Sequence, residues 1–227
     1  MFAWSGVGAF ALSLAYFAWF YFARLDGLAA REPATTSLLW NIGLFASFAL
    51  HHSVLAREGV KRRLASVVPA ELERPAFVWV ASMLFFVLCF SWRSLAWQPL
   101  YAHGGALRWL HRGVQLLGML LMVRSARTLS LKAFAGVRET APDTASHPEL
   151  EVAGPYAWLR HPLYLGLLLI LFGAPRMTAD RLVFSALILV YVLFAIQWEE
   201  RGMRRAFGRD YDRYREAVRW KLVPGLY

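Results

Sequence analysis

Cysteine and acidic residues are scarce in this sequence, and each shortage excludes something. A single cysteine, Cys89, among 227 residues leaves no internal disulfide to form. It stands inside an apolar run, where a thiol behaves as a small hydrophobe packed among hydrocarbon. Fifteen Asp and Glu against 25 Lys and Arg leave a formal charge of +10, a balance that suits either nucleic acid or anionic lipid headgroups. The basic residues stand in blocks between apolar runs and no base-reading module is recognisable, so membrane lipids are the expected partner and nucleic acid is not. Internal repeats and low-complexity tracts are also missing. No basic stretch precedes the first apolar run and no small-residue cleavage site follows it, so that run is read as a retained helix rather than a signal peptide.

What the sequence has in quantity is uninterrupted hydrocarbon. Residues 2–22, 37–56 and 75–92 contain no Asp, Glu, Lys or Arg, and each is about as long as a helix must be to cross ~30 Å of bilayer core. The expected fold is therefore all-α: a polytopic integral membrane protein of about four transmembrane helices, followed by a C-terminal helical hairpin and a cytoplasmic amphipathic helix. The second helix is expected over 38–55 and a fourth, short or tilted, over 113–123. The block Arg57, Lys61, Arg62, Arg63 and Arg74 belongs in the cytoplasm by the positive-inside rule. That choice places both termini in the cytoplasm of a bacterial-type inner membrane and the loops 24–36 and 92–112 outside. In the second of these loops Trp92, Trp97, Tyr101 and Trp109 suit an interfacial aromatic belt.

Residues 135–154 form the longest polar stretch and are read as a cytoplasmic loop, with Pro142, Pro148 and Gly154 as breakers. Two apolar arms, 163–172 and 182–196, make the hairpin around Pro175, and 198–219 the amphipathic helix. The whole reads as one domain, with transmembrane helices over 1–125 and a cofactor-binding core over 154–216.

The chemistry concentrates around the hairpin. Pro162 at a helix start leaves first-turn amides free beside Arg160 and His161, an arrangement able to hold a carboxylate or phosphate. Tyr164, three residues after His161, shares its face. Glu199 and Glu200 end the hairpin's second arm. On a helical wheel Glu199 falls with Val192, Ala195, Ile196 and Met203 and is the expected buried functional carboxylate, whereas Glu200 stands one turn before Arg204 as an exposed pair. S-adenosylmethionine needs an anion site for its carboxylate, a carboxylate for its ammonium and aromatic faces near its sulfonium. These segments supply all three, as they would for other zwitterionic or phosphate-bearing ligands. His51 and His52, within an apolar helix, are candidates for function or for simple access to water near its end. With no third clustered ligand, no metal site is expected. Tyr211 and Tyr214 read as headgroup anchors of the last helix, Arg204, Arg205, Arg209, Arg213 and Arg215 as its solvated face, and Arg138 as a loop arginine able to close the site.

The run Arg160-His-Pro-Leu-Tyr-Leu-Gly166, followed by Glu199-Glu200 and then Phe207-Gly208 with Tyr211 and Tyr214, resembles the isoprenylcysteine carboxyl methyltransferase and phospholipid methyltransferase superfamily. The resemblance implies that S-adenosylmethionine is held by Arg160, His161, Leu163, Tyr164 and Glu199 in a pocket capped by the C-terminal helix, open to the cytosol, with the acceptor entering from the membrane. His51-His-Ser-Val-Leu-Ala-Arg57, Glu73-Arg-Pro75 and Phe134-Ala-Gly-Val-Arg138 are similar to the bacterial subgroup of methanethiol S-methyltransferases and NnrU-like proteins, with departures from its pattern at His51 and Leu131. The acceptor is then a small or lipophilic molecule, with a thiol or carboxylate favoured. His51 and Glu200 are the candidate catalytic residues, needed as bases only when the acceptor must shed a proton. Two other classes stay open on sequence: an NADPH-dependent membrane reductase, whose terminal pattern is similar but whose polyanionic cofactor is ill matched to paired glutamates, and a non-enzymatic membrane component.

Overall fold

A computed structural model describes residues 2–29, 31–55, 60, 69–95, 98–128, 150 and 152–227. The expectations for Arg57, Lys61, Arg62, Arg63, Trp97, Leu131, Phe134, Arg138 and nearly all of the 135–154 loop lie outside the described residues. The fold is helical, as expected: α1 (Phe2–Trp19), α2 (Ala34–Leu55), α3 (Ala70–Phe90), α4 (Gly105–Thr128), α5 (Pro162–Phe172), α6 (Ala179–Phe207) and α7 (Arg209–Ala217). Between them lie two two-residue strands, β1 (Tyr101–Ala102) and β2 (Arg176–Met177), paired antiparallel. Ser5–Gly27 and Ala179–Phe207 are long and apolar enough to cross a membrane. At 1.5 Å per residue the 11 residues of α5 reach only about 16 Å, half the hydrocarbon thickness.

The chain divides into two compact units. The first comprises the residues up to Gln98 together with Thr178–Val183. α1 runs on past Trp19 as a π-helical turn, Phe20–Arg24, and a 3₁₀ turn, Leu25–Gly27, so Arg24 is helical rather than part of an open loop. Its guanidinium donates to the carbonyls of Cys89 at 3.2 Å and Phe90 at 3.0 Å, capping the C-terminal end of α3, where a cation is favoured. Phe20, Tyr21, Leu25, Leu88 and Cys89 are buried nearby, which bears out the thiol as a packing group. Polar clips sit among them. Asn41, mid-way along the apolar α2, exchanges two hydrogen bonds with the backbone of Arg93. The Asp180 carboxylate accepts from Trp92 Nε1 at 2.9 Å, Ser94 Oγ at 3.1 Å and the Leu95 amide at 3.2 Å. Trp92 is thus buried rather than part of an interfacial belt, because its indole N–H needs a partner and finds one 88 residues away. Trp109, by contrast, is exposed. Arg181 pairs with Asp26 at 2.8 Å and lies over the Tyr21 ring.

The second unit comprises the remaining described residues from Pro99 onward. α4 has 24 residues, more than twice the apolar stretch 113–123. Hydropathy marks where a helix is greasy, and Arg108, His111 and Arg112 simply extend it with polar turns. α4 and α5 cross closely. A Cβ on Gly118 would stand 2.6 Å from the Gly166 carbonyl oxygen, and one on Gly166 2.7 Å from that of Gly118, so backbone meets backbone with no room for a side chain. Gln115 secures the crossing by donating to the Ile170 carbonyl at 2.9 Å. α6 does not stop at Ile196 but continues through Trp198 to Phe207, and the expected single amphipathic helix over 198–219 is broken at Gly208. There φ is +54°, a conformation that glycine adopts without strain.

Candidate functional site

The site grows from two chain turns and one helix end, all in the second unit. Pro155 in the short 3₁₀ turn Gly154–Ala157 and Pro162 at the first position of α5 fix the backbone on either side of Arg160 and His161. No side chain caps α5, so the amides of Leu163 and Tyr164 stand outside its hydrogen-bond ladder. The other side of the Arg160–His161 peptide is taken up by the C-terminal segment: the Arg160 amide donates to the Trp220 carbonyl at 3.0 Å and the His161 amide to that of Lys221 at 2.9 Å.

α6 brings the two glutamates. Phe184, Ile188, Val192, Ile196 and Glu200 are all buried and recur every four residues, so the inward seam of this helix advances in steps of four. Glu200 ends that seam. Its Oε1 accepts from Arg160 Nε at 2.8 Å and lies 3.4 Å from His161 Nε2, and its Oε2 lies 3.9 Å from Lys221 Nζ. Arg160 also donates to the Val218 carbonyl at 3.1 Å.

The wheel expectation is therefore corrected. Glu199 is not the buried carboxylate: its side chain is 48% exposed, against 10% for Glu200. Nor is Glu200 a surface partner of Arg204, which pairs instead with Asp212. Residues three and four positions beyond Ile196 flank the same face, and the direction in which the seam drifts decides between them. Glu199 remains beside the site, with Oε2 3.6 Å from His161 Nδ1 and its charge acting on the Tyr164 hydroxyl. Tyr164 stacks on His161 at 5.8 Å between ring centroids. His161 thus bridges the two carboxylates, backed by an aromatic ring.

α7 closes the far side. Tyr211 and Tyr214 are buried with Val218 against Leu150, Met203 and Phe207, so they are packing residues rather than headgroup anchors. Tyr214 donates to the Tyr156 carbonyl at 2.8 Å. Burial pushes its hydroxyl up to about 12, with the Arg160 charge opposing and that of Glu200 adding. Tyr211 is raised further, again mainly by burial. Lys221 lies over the ring of Tyr227, whose hydroxyl accepts from Gln197 at 2.6 Å. Sequence reasoning missed Val218, Lys221 and Tyr227, which carry no motif and reach the site only through the folded tail.

Five of the expected site residues are therefore gathered here: Arg160, His161, Tyr164, Glu199 and Glu200. Leu163 is half-buried in the first turn of α5. His51 lies on α2 in the first unit, stacked on Phe77 at 5.6 Å, and its Nε2 is buried with no hydrogen-bond partner among the described residues. No cluster of three or more potential metal ligands occurs among the described residues.

The arrangement is one able to hold a small zwitterion: a partly open carboxylate, an uncapped helix start and a buried guanidinium beside an aromatic ring. Comparison with known proteins names the chemistry. Residues 111–210 match the family model described as phospholipid methyltransferase. The chain is 33% identical over 198 residues to methanethiol S-methyltransferase 2 of Bradyrhizobium diazoefficiens, covering 84% of this chain and 74% of the relative. It is 30% identical to the methanethiol S-methyltransferase of Mycobacterium tuberculosis, covering 84% and 80%, and 30% identical to Nurim of Xenopus laevis, covering 67% and 57%. No solved structure matches. The matched family segment contains Arg160, His161, Leu163, Tyr164, Glu199 and Glu200, and on the identity and coverage of these relatives the chain belongs to the family of the methanethiol S-methyltransferases and is a membrane methyltransferase.

Proposed function

We propose that the chain transfers the methyl group of S-adenosylmethionine to a small thiol, of which methanethiol is the simplest. One observation carries the donor half: Glu199 is the half-exposed carboxylate of the site, while Glu200 next to it is buried and tied to Arg160. Glu199 takes the donor's ammonium, the α5 amides of Leu163 and Tyr164 with the Arg160 guanidinium take its carboxylate, and the Tyr164 and His161 rings lie against its cationic part. The donor supplies an activated methyl on sulfur. Everything else is asked of the protein: to hold acceptor sulfur and methyl carbon in line and to keep water out.

A thiol reacts as the thiolate. The acceptor's S–H proton must leave, a sulfur–carbon bond forms as the donor's sulfonium–methyl bond breaks, and the thioether is released. His51 is the proposed proton acceptor, its buried Nε2 having no hydrogen-bond partner among the described residues. Glu200 serves by fixing Arg160 and His161, and its own basicity is engaged by those two groups. Exposed apolar side chains such as Leu12, Leu39, Leu110 and Leu120 suit contact with acyl chains, and about four spanning helices followed in sequence by a hairpin, with cytoplasmic termini, remain the proposed topology. The reductase alternative receives no support, since the matched family acts in methyl transfer.

Calorimetric titration of the detergent-purified protein with S-adenosylmethionine tests the donor half. Glu199→Gln is expected to abolish measurable binding without lowering the melting temperature, and unchanged affinity in that variant would sink the assignment. Release of dimethyl sulfide from methanethiol tests the acceptor half. His51→Gln is expected to slow turnover about 10²-fold or more, as loss of a general base does, while donor affinity stays at the wild-type value. Equal turnover would remove His51 from the reaction.

A further inference from the structure

A second polar site lies wholly within the first unit and is lined by none of the residues assigned to methyl transfer. It is a cavity of about 570 Å³, formed where the end of the α1 extension, the start of α2 and the segment after α3 meet. Its lining includes Arg24, Arg31, Glu32, Ser37, Phe90 and Arg93, three guanidiniums against one carboxylate.

Two of the three arginines are fixed in place before any ligand arrives. Arg24 is anchored on the last carbonyls of α3 and on the Tyr16 hydroxyl. Arg93 stacks 4.0 Å from the Trp40 ring centroid, pairs with Glu32, and has its backbone clipped by Asn41. Arg31 is exposed and makes no ion pair among the described residues. The cavity thus offers two guanidiniums already positioned and one free to close on a ligand, an arrangement that matches the oxygens of a phosphate.

A second, independent observation points the same way. Ser37 borders the cavity and is only 1% exposed, yet its hydroxyl has no hydrogen-bond partner among the described residues. A buried hydroxyl without a partner is costly, and the cost vanishes when a ligand oxygen accepts from it. Ser37 also sits in the first turn of α2, which contains no acidic residue, and the carboxylate of Glu32 just before the helix is paired with Arg93, so the positive end of the helix dipole adds to the attraction for an anion.

We propose that this cavity is a phosphate-binding site, taking either the headgroup of an anionic phospholipid or free phosphate. The two sources share the same chemistry of recognition, oxyanion to guanidinium and hydroxyl, and differ in whether an acyl chain accompanies the phosphate. Phe90, exposed on the cavity wall, is placed to meet such a chain.

The test uses the full chain. Native mass spectrometry of protein taken from vesicles of equal phosphatidylglycerol and phosphatidylcholine reads lipid retention, and calorimetry in detergent reads inorganic phosphate binding. Preferential retention of phosphatidylglycerol, weakened about tenfold by loss of one charge-assisted contact in Arg31→Ala and also reduced in Ser37→Ala, establishes a headgroup site. Phosphate binding with the same dependence on both variants, and no lipid preference, establishes a site for the free anion. Ser37→Ala removes no charge and is expected to melt no lower than wild type. A loss in Arg31→Ala alone would reduce the effect to diffuse attraction and overturn the site, as would binding of neither probe.

Discussion

Breaking the Arg160–Glu200 pair from one side differs from breaking it from the other, and the difference can be worked out in advance. The two side chains are 5% and 10% exposed and meet at 2.8 Å. Glu200→Ala leaves a buried guanidinium whose remaining hydrogen-bond partner among the described residues is the Val218 carbonyl, and stranding a buried charge costs about 3–5 kcal/mol. Arg160→Met is milder, because Glu200 keeps His161 at 3.4 Å and Lys221 at 3.9 Å; the expected loss is about 1.5–3 kcal/mol, that of a charge-assisted hydrogen bond. Replacing both, as Arg160→Met with Glu200→Ala, removes the stranded charge along with the pair, so the double variant should be more stable than Glu200→Ala alone. Reversible unfolding in mixed micelles, followed by tryptophan fluorescence, gives the three free energies and the coupling. A Glu200→Ala variant within about 1 kcal/mol of wild type, or a double variant whose loss is the sum of the singles, would refute the account of Glu200 as a carboxylate held by buried cations.

At the α4–α5 crossing, Gly118→Ala or Gly166→Ala forces a methyl group against backbone oxygen and should cost about 1–3 kcal/mol, the range for overpacking; melting temperature in one detergent checks it, and the exposed Gly202→Ala, whose Cβ meets nothing within 4 Å, is the control. In alkali, Tyr214 and Tyr211 should ionise late as read by tyrosinate absorbance. Their folded-state values are raised, Tyr214 to about 12, above an unfolded value of about 10. Their contribution to stability is therefore complete below about pH 10 and lost as pH rises through the folded values, and Tyr214→Phe should remove one late-titrating group from the absorbance curve.

What could be read from the sequence was local. Charge-free runs marked α1, α2 and α3, Pro162 marked the start of α5, and the cluster of Arg160, His161 and Tyr164 marked the site, because each signal lies within a turn or two of chain. What could not be read depends on partners distant in sequence. Trp92 looks like an interfacial tryptophan until Asp180 is beside it, and nothing local to Arg181 announces its pairing with Asp26, 155 residues away. The choice between Glu199 and Glu200 was beyond the wheel, since it turns on which way the buried seam of α6 drifts over four successive steps of four residues. The break at Gly208 had its signal in the glycine itself. The extension of α4 had none in hydropathy, because polar turns prolong a helix without prolonging its apolar run.

Two adjacent glutamates do different work because a helix separates consecutive side chains by about 100°. One of them, Glu200, lies inside and is held by Arg160, His161 and Lys221; the other, Glu199, lies half outside and faces the same histidine. The inner carboxylate is buried and already faces Arg160, His161 and Lys221, whereas the outer one is half-exposed and meets His161 and Tyr164 among the described residues. In the proposed site, the precision of Glu199 is therefore borrowed from Glu200 through the His161 ring. His161 in turn is fixed by the Lys221 carbonyl, and Arg160 by those of Val218 and Trp220. The segment after α7 is thus part of the site, and a loss of donor affinity on deleting it would arise through the same chain of contacts.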